Sequence, residues 1–213
     1  MNNINNIDQD YTSLVDLEAS AESKGGDFRQ LEDGTHDAGI CGVVSRMMDT
    51  TNDKGVKSSV KVYELIYQVI DEEGSYHFLK SKALKPSLNE KSNLFKMMKT
   101  WLKASTAKDI IDALAKAKIT SDKGFNFTGF IGKSCRLSTA AEASKKDATK
   151  MYPKIGSVLP AKTQFVISTK ESVPEYMLKD NIGFKLADGL TVKSKAKDTV
   201  IMTDEEVSDD LPF

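Results

Sequence analysis

Two sets of side chains in this sequence have types and spacing suited to chemistry. Lys61, Tyr63, Leu65 and Tyr67 alternate with Val60, Val62, Glu64 and Ile66, and Tyr76, Phe78, Lys80 and Lys82 recur at every second position further on. Strand side chains alternate between faces, so each quartet shares one face. Rings interleaved with cations suit an unpaired nucleic-acid strand: bases stack on the rings at about 1–3 kcal/mol each while the cations track the phosphates. Arg46, Lys54 and Lys57 flank the preceding turn and extend the same surface. The opposite assignment stays open, with Tyr63, Tyr67 and Phe78 in the core and Val60, Val62 and Ile66 outside. Lys61, Lys80 and Lys82 on the ring-bearing faces weigh against it, because an unpaired buried lysine is costly.

The second set closes the chain, as Thr-Asp-Glu-Glu-Val-Ser-Asp-Asp-Leu-Pro-Phe. Such an acidic stretch has too little apolar surface to fold alone. Phe213 with a free carboxylate nevertheless offers an anchor and a charge to a basic-rimmed pocket on another protein. The same segment can compete with a polyanion for the chain's own basic groove.

Other chemistry finds little support. The sequence has no phosphate loop, no Gly-x-Ser-x-Gly elbow, no His-Glu-x-x-His and no aspartate cluster with two-metal spacing, so a non-enzymatic protein without cofactor is expected. Cys41 and Cys135 are far apart, and His36 and His77 are isolated, which argues against both a zinc site and a disulfide framework. No run approaches the roughly 18 apolar residues of a membrane span, and the first 30 residues lack the apolar core of a signal peptide; a cytosolic protein is expected. The net charge of −1 hides opposite blocks: residues 1–33 hold eight acids and two bases, and residues 204–213 five acids and no base. The middle, residues 34–203, carries 28 bases and 18 acids. A polyanion meets that local surface rather than the average.

The elements that must position these groups follow from periodicity. Residues 1–33 read as an acidic, flexible lead-in, and order should begin near Gly34. A long strand is expected over Thr35–Met48, its Gly39 and Gly42 permitting a bend. Ser58–Ile70 is β-branched and aromatic, and after the turn Asp71–Gly74 a third strand returns over Tyr76–Leu84, completing a meander. The period then changes to 3.6. Ser87-Leu88-Asn89-Glu90 fits a capping box, with Leu94, Met98, Trp101 and Leu102 on one helix face. A second helix should start at Ser105/Thr106 and turn Ile110, Ile111 and Leu114 inward. Phe125, Phe127 and Phe130 suggest a plug, followed by strands over Lys133–Ala143 and Lys150–Leu159. The fold class is thus mainly β with inserted helices (α+β), and the order β-β-β-α-β-β is that of the five-stranded OB-fold barrel. Domain 34–200 then includes a C-terminal packing arm containing Phe165, Val166, Ile167, Tyr176, Met177, Ile182 and Phe184, and residues 201–213 form the acidic tail.

These residues also carry a resemblance. Asp209-Asp210-Leu211-Pro212-Phe213 resembles the Asp-Asp-(Ile/Leu)-Pro-Phe terminus of bacterial-type single-stranded-DNA-binding proteins. The body is similar to a group of tailed-phage single-stranded-DNA-binding proteins in Gly34-Thr35…Ala38, in Ser87–Leu94 followed by Trp101, and in Gly132–Leu137, over roughly residues 34–160. The resemblance implies an OB-fold, sequence-independent binding of unpaired DNA in phage replication, recombination or repair, no cofactor, and replication or recombination partners recruited by the tail in the host cytoplasm. The longer lead-in departs from that group, so self-association cannot be carried over. Two rival readings remain: an RNA-binding OB module, and an adaptor that binds only protein and imitates the host protein's terminus.

Overall fold

A computed structural model of the 213-residue chain describes residues 31–51, 55, 57–117, 119–121, 124–143 and 151–193. Of the lead-in expected over residues 1–33, residues 1–30 lie outside the described residues, as do Lys54 and the whole acidic tail; order begins before Gly34, since Leu31 is buried in the core and Asp33 accepts from the Ala141 N–H.

Three long antiparallel strands open the fold: β1 (Gly34–Thr51), β2 (Lys57–Ile70) and the shorter β3 (Tyr76–Lys80). Helices α1 (Asn93–Leu102) and α2 (Ala107–Lys116) follow. A small hairpin of β4 (Thr120–Ser121) and β5 (Gly124–Phe125) leads into a 3-10 turn over Phe127–Phe130. Two long strands, β6 (Ser134–Ala143) and β7 (Met151–Pro160), come next. The remaining chain is an arm holding β8 (Val173–Pro174), a 3-10 turn at Glu175–Leu178, β9 (Gly183–Leu186) and β10 (Val192–Lys193). Among the described residues the fold is mainly β with two helices, as the periodicity implies. The main sheet is antiparallel, in the order β3-β2-β1-β6-β7, with β9 added to β1. Strands β3 and β7 approach each other, but no ladder joins them, so the sheet is not closed.

Strand β1 shares one edge between two partners. Residues Gly34–Gly39 pair with β6 and Gly42–Ser45 with β9. The change falls at a bulge, where Ile40 opposes Tyr67, Gly42 opposes Ile66, and Cys41 is the extra residue. A bulge reverses which side chains face in. Ala38 and Ile40 therefore join one core, whereas Val44 joins the other. Simple alternation puts Ala38, Ile40 and Val44 together and misses the reversal.

The helices depart from expectation at two points. Helix α1 starts after Ser92, whose hydroxyl accepts from the Phe95 N–H at 3.1 Å, and not at the Ser87 box. Ser87 serves the turn before it, its hydroxyl accepting from the Asn89 N–H and its carbonyl from the Ser92 hydroxyl. Helix α2 has the expected Thr106 cap, reciprocated by Asp109. That hydrogen-bonded partnership with Thr106 holds the Asp109 carboxyl below its ordinary pKa. Ile110 and Leu114 turn inward, but Ile111 is exposed.

Two cores result. The larger joins the inner sheet face to Leu94, Phe95, Met98, Ile110 and Leu114 of the helices and to Phe127 and Phe130, which fill the interior as the expected plug. Trp101 is partly buried against Phe130, ring centroids 5.8 Å apart. The smaller lies on the outer face, where Val173, Met177 and Leu178 of the arm cover Cys41, Val44 and Ile66. Gly39 and Gly42 admit the arm. A Cβ on Gly39 would lie 2.7 Å from a Phe165 ring carbon, and one on Gly42 2.5 Å from a Leu186 methyl.

Candidate nucleic-acid interface

The register of β2 and β3 decides where the expected rings point. Tyr67 opposes Leu79, Gln68 opposes Phe78, and Ile66 opposes Lys80. Paired residues share a face. Tyr63, Leu65 and Tyr67 thus face inward, while Tyr76, Phe78 and Lys80 belong to the outer face with Ile66, Gln68 and Ile70. The two quartets lie on opposite sides of one sheet and do not make one groove.

Tyr67 is the clear correction. Its ring is wholly buried in the larger core, and its hydroxyl donates to the Met97 sulfur at 3.7 Å. Burial, and then the Cys135 thiol nearby, push the phenol pKa well above its usual value. A ring so enclosed is not a stacking platform. Tyr63 is half-buried and stacks on Phe127 at 4.0 Å with the planes 7° apart, a pairing that contributes about 0.5–1.5 kcal/mol beyond its burial. The Lys61 ammonium sits 5.6 Å from the Tyr63 ring centroid, and Lys61 and Lys57 are exposed near the end of the sheet.

On the outer face, Phe78 packs against the smaller core and Tyr76 is half-buried opposite Ile70. Beyond Phe78 on the same face the sheet carries a charged network. Glu64, 6% exposed, takes the Arg46 Nε at 3.1 Å on Oε1 and the Lys80 ammonium at 3.0 Å on Oε2. The two cations are about a third exposed. Lys80 also donates to the Met177 carbonyl of the arm at 3.3 Å. A carboxylate this buried is tolerated because a cation stands at each oxygen, Oε1 hydrogen-bonded to Arg46 and Oε2 in ion contact with Lys80.

The arm is fastened by polar contacts that strand alternation does not foretell. Gln68 is fully buried, and its amide donates to the Ser168 carbonyl at 2.9 Å while its oxygen accepts from the Ser168 N–H at 2.7 Å. Ser45 adds a bond from its hydroxyl to the Gly183 carbonyl. Glu64 and Gln68, four residues apart among Val60, Val62, Ile66 and Ile70, were the available signal: polar side chains on an otherwise apolar face need partners.

Lys82 takes a third location. It is exposed and borders a cleft of about 210 Å³ where β3, α1 and β7 meet without closing the sheet. Leu84, Met97, Ile155 and Val158 form its apolar lining, with Lys96 beside Lys82. From Lys80 to Lys103 the chain carries seven lysines and one acid, Glu90, which makes this the most basic part of the molecule.

Among the described residues no three His, Cys, Asp or Glu side chains are grouped to hold a metal, and no helix is long and apolar enough to cross a membrane. His77 contacts Asp71 at 2.8 Å. Compared with known proteins, the chain matches no family model, no curated protein and no solved structure.

Proposed function

We propose that this protein binds single-stranded DNA without sequence preference, as a coat that excludes nucleases and hairpins during phage replication, recombination or repair, and recruits partner proteins through its acidic C-terminus. The observation that carries the reading is the strand order. A meander β1-β2-β3, a helical insertion, then β6 and β7 arranged as β3-β2-β1-β6-β7, is the order of an OB barrel left partly open between its third and fifth strands. An excess of ten positive charges over residues 34–203 supports it, as does the Asp-Asp-Leu-Pro-Phe terminus. The protein needs no cofactor for this, since positioned rings and cations suffice. It works in the host cytoplasm.

Competition tests the reading. The full chain, bound to labelled oligo-dT, is challenged with unlabelled single-stranded DNA, duplex and RNA of equal length, and a chain lacking residues 204–213 is carried in parallel. The expected result is displacement by single-stranded DNA at the lowest concentration, with the shortened chain binding as tightly or more tightly. Preference for RNA would mark an RNA-binding module. Absence of binding by both chains would mark a protein-only adaptor.

A further inference from the structure

Of the two faces expected to receive bases, the outer one, which bears Tyr76, Phe78 and Lys80, is covered by the chain's own arm, and the arm presents rings of its own. Tyr176 is 58% exposed and Phe184 is 53% exposed, more than any ring on β2 or β3. Both flank the charged network. Phe184 pairs with Val44 on β1, whose other neighbour is Glu64 on β2. Arg46, two residues along β1 on the same face, reaches Glu64. Tyr176 immediately precedes Met177, the residue whose carbonyl takes Lys80. Crossing the sheet from β9 to β3 therefore meets Phe184, Arg46 and Lys80, which is bonded to the backbone next to Tyr176, and then Lys82 and Lys96 at the cleft.

We propose that Tyr176 and Phe184 of the arm are the base-stacking rings, and that the unpaired strand crosses the sheet over Arg46 and Lys80 toward Lys82 and Lys96. This rests on the single-stranded-DNA reading and names its contact residues. Half-exposed rings cost water little to uncover and offer a face to a base, whereas Tyr67 has none to offer. The arm is fixed to the sheet by Gln68, Ser45 and the β9 ladder, so the segments that bear its rings are held in register with the strands that bear the cations. Bases of one strand then meet the two rings while its phosphates meet the guanidinium and ammonium groups.

The test is oligo-dT titration of full-length Tyr176→Leu, Phe184→Leu and the double variant. Leucine keeps apolar bulk over the arm and removes only the ring; unchanged thermal melting verifies the fold. Each single change is expected to weaken binding by about tenfold, with the salt slope unaltered because stacking releases no counterions. Lys82→Gln with Lys96→Gln is expected to do the reverse in kind, lowering the slope by up to about 1.4, or about 0.7 per phosphate contact. Wild-type affinity in the folded double ring variant would overturn the stacking assignment and leave the DNA reading intact. Failure of the wild-type chain to bind oligo-dT would end both.

Discussion

The two faces of β2 are built from the same alternating strand and are buried by different means. Inward, Leu65, Tyr67 and Val69 meet helices and phenylalanines in an apolar core. Outward, Glu64 makes two ion pairs within the sheet, to Arg46 and Lys80, while Ile66 and Gln68 meet the arm through a small apolar cluster and a two-bond amide clamp. The comparison teaches that burial on the inner face is set by area and shape, while burial on the outer face depends on matching polar groups one by one. Inner side chains are committed to stability. Outer ones are buried beneath the arm, which carries the exposed rings.

Substitutions should separate the faces, the largest effect coming from the inner one. Tyr67→Ala should cost about 3–5 kcal/mol in denaturant unfolding, the range for emptying a large aromatic site, and should affect oligonucleotide binding only through the folded fraction. Retained stability would mean that the ring is not enclosed as described. Gln68→Leu should cost about 2–4 kcal/mol, because it leaves both the Ser168 N–H and carbonyl without their partner. Its effect should be local: hydrogen exchange should quicken in residues 161–193 while the β1–β2 ladder stays protected. Uniform acceleration would show that arm and sheet unfold as one unit.

Glu64→Gln comes next. Arg46 and Lys80 can turn to water, so the stability loss should be only about 1 kcal/mol, reduced by solvent screening. Releasing two cations should tighten oligo-dT binding and steepen its salt slope, by up to about 1.4 if each takes a phosphate. Weaker binding would mean that the network positions the arm and does not hold cations in reserve.

The smallest effect compares the cysteines, one under each cover. Burial pushes both thiols up to about 12; a hydrogen bond opposes this slightly at Cys41, and the Asp37 charge adds to it at Cys135. Near pH 8 neither should react with iodoacetamide while covered. In Gln68→Leu, Cys41 should become reactive before Cys135, since only the arm must open. Both folded values lie above the unfolded one, so the neutral thiols' contribution is fully present below about pH 9 and is lost as pH rises toward 12. Simultaneous labelling would argue against independent arm opening.

Much of this architecture is legible in the sequence where one periodicity acts alone. The β-branched run of β2, the Thr106–Asp109 cap and the interior Phe127 and Phe130 are each specified locally. What escapes is set by partners distant in sequence. The Cys41 bulge reverses the faces of β1, and the β2–β3 register, not either strand's own alternation, puts Phe78 opposite Gln68 and away from Tyr67. Alternation also cannot reveal that a second cover exists. Lys80 among aromatic residues signals exposure only if no carboxylate is near, and Glu64 is 3.0 Å away. Of the expected site, Arg46, Lys57, Lys61, Lys80 and Lys82 keep an exposed or partly exposed cation, Tyr63, Tyr76 and Phe78 are partly covered, and Tyr67 is lost to the core. Asp209, Asp210, Leu211, Pro212 and Phe213 lie outside the described residues.

The most direct test of the central claim is the salt dependence of binding. Fluorescence anisotropy of labelled oligo-dT titrated with the full chain between about 50 and 200 mM salt should give an affinity that falls linearly on logarithmic axes, by about 0.7 per phosphate neutralised. A long oligonucleotide that stays unbound at the lowest salt would contradict the account.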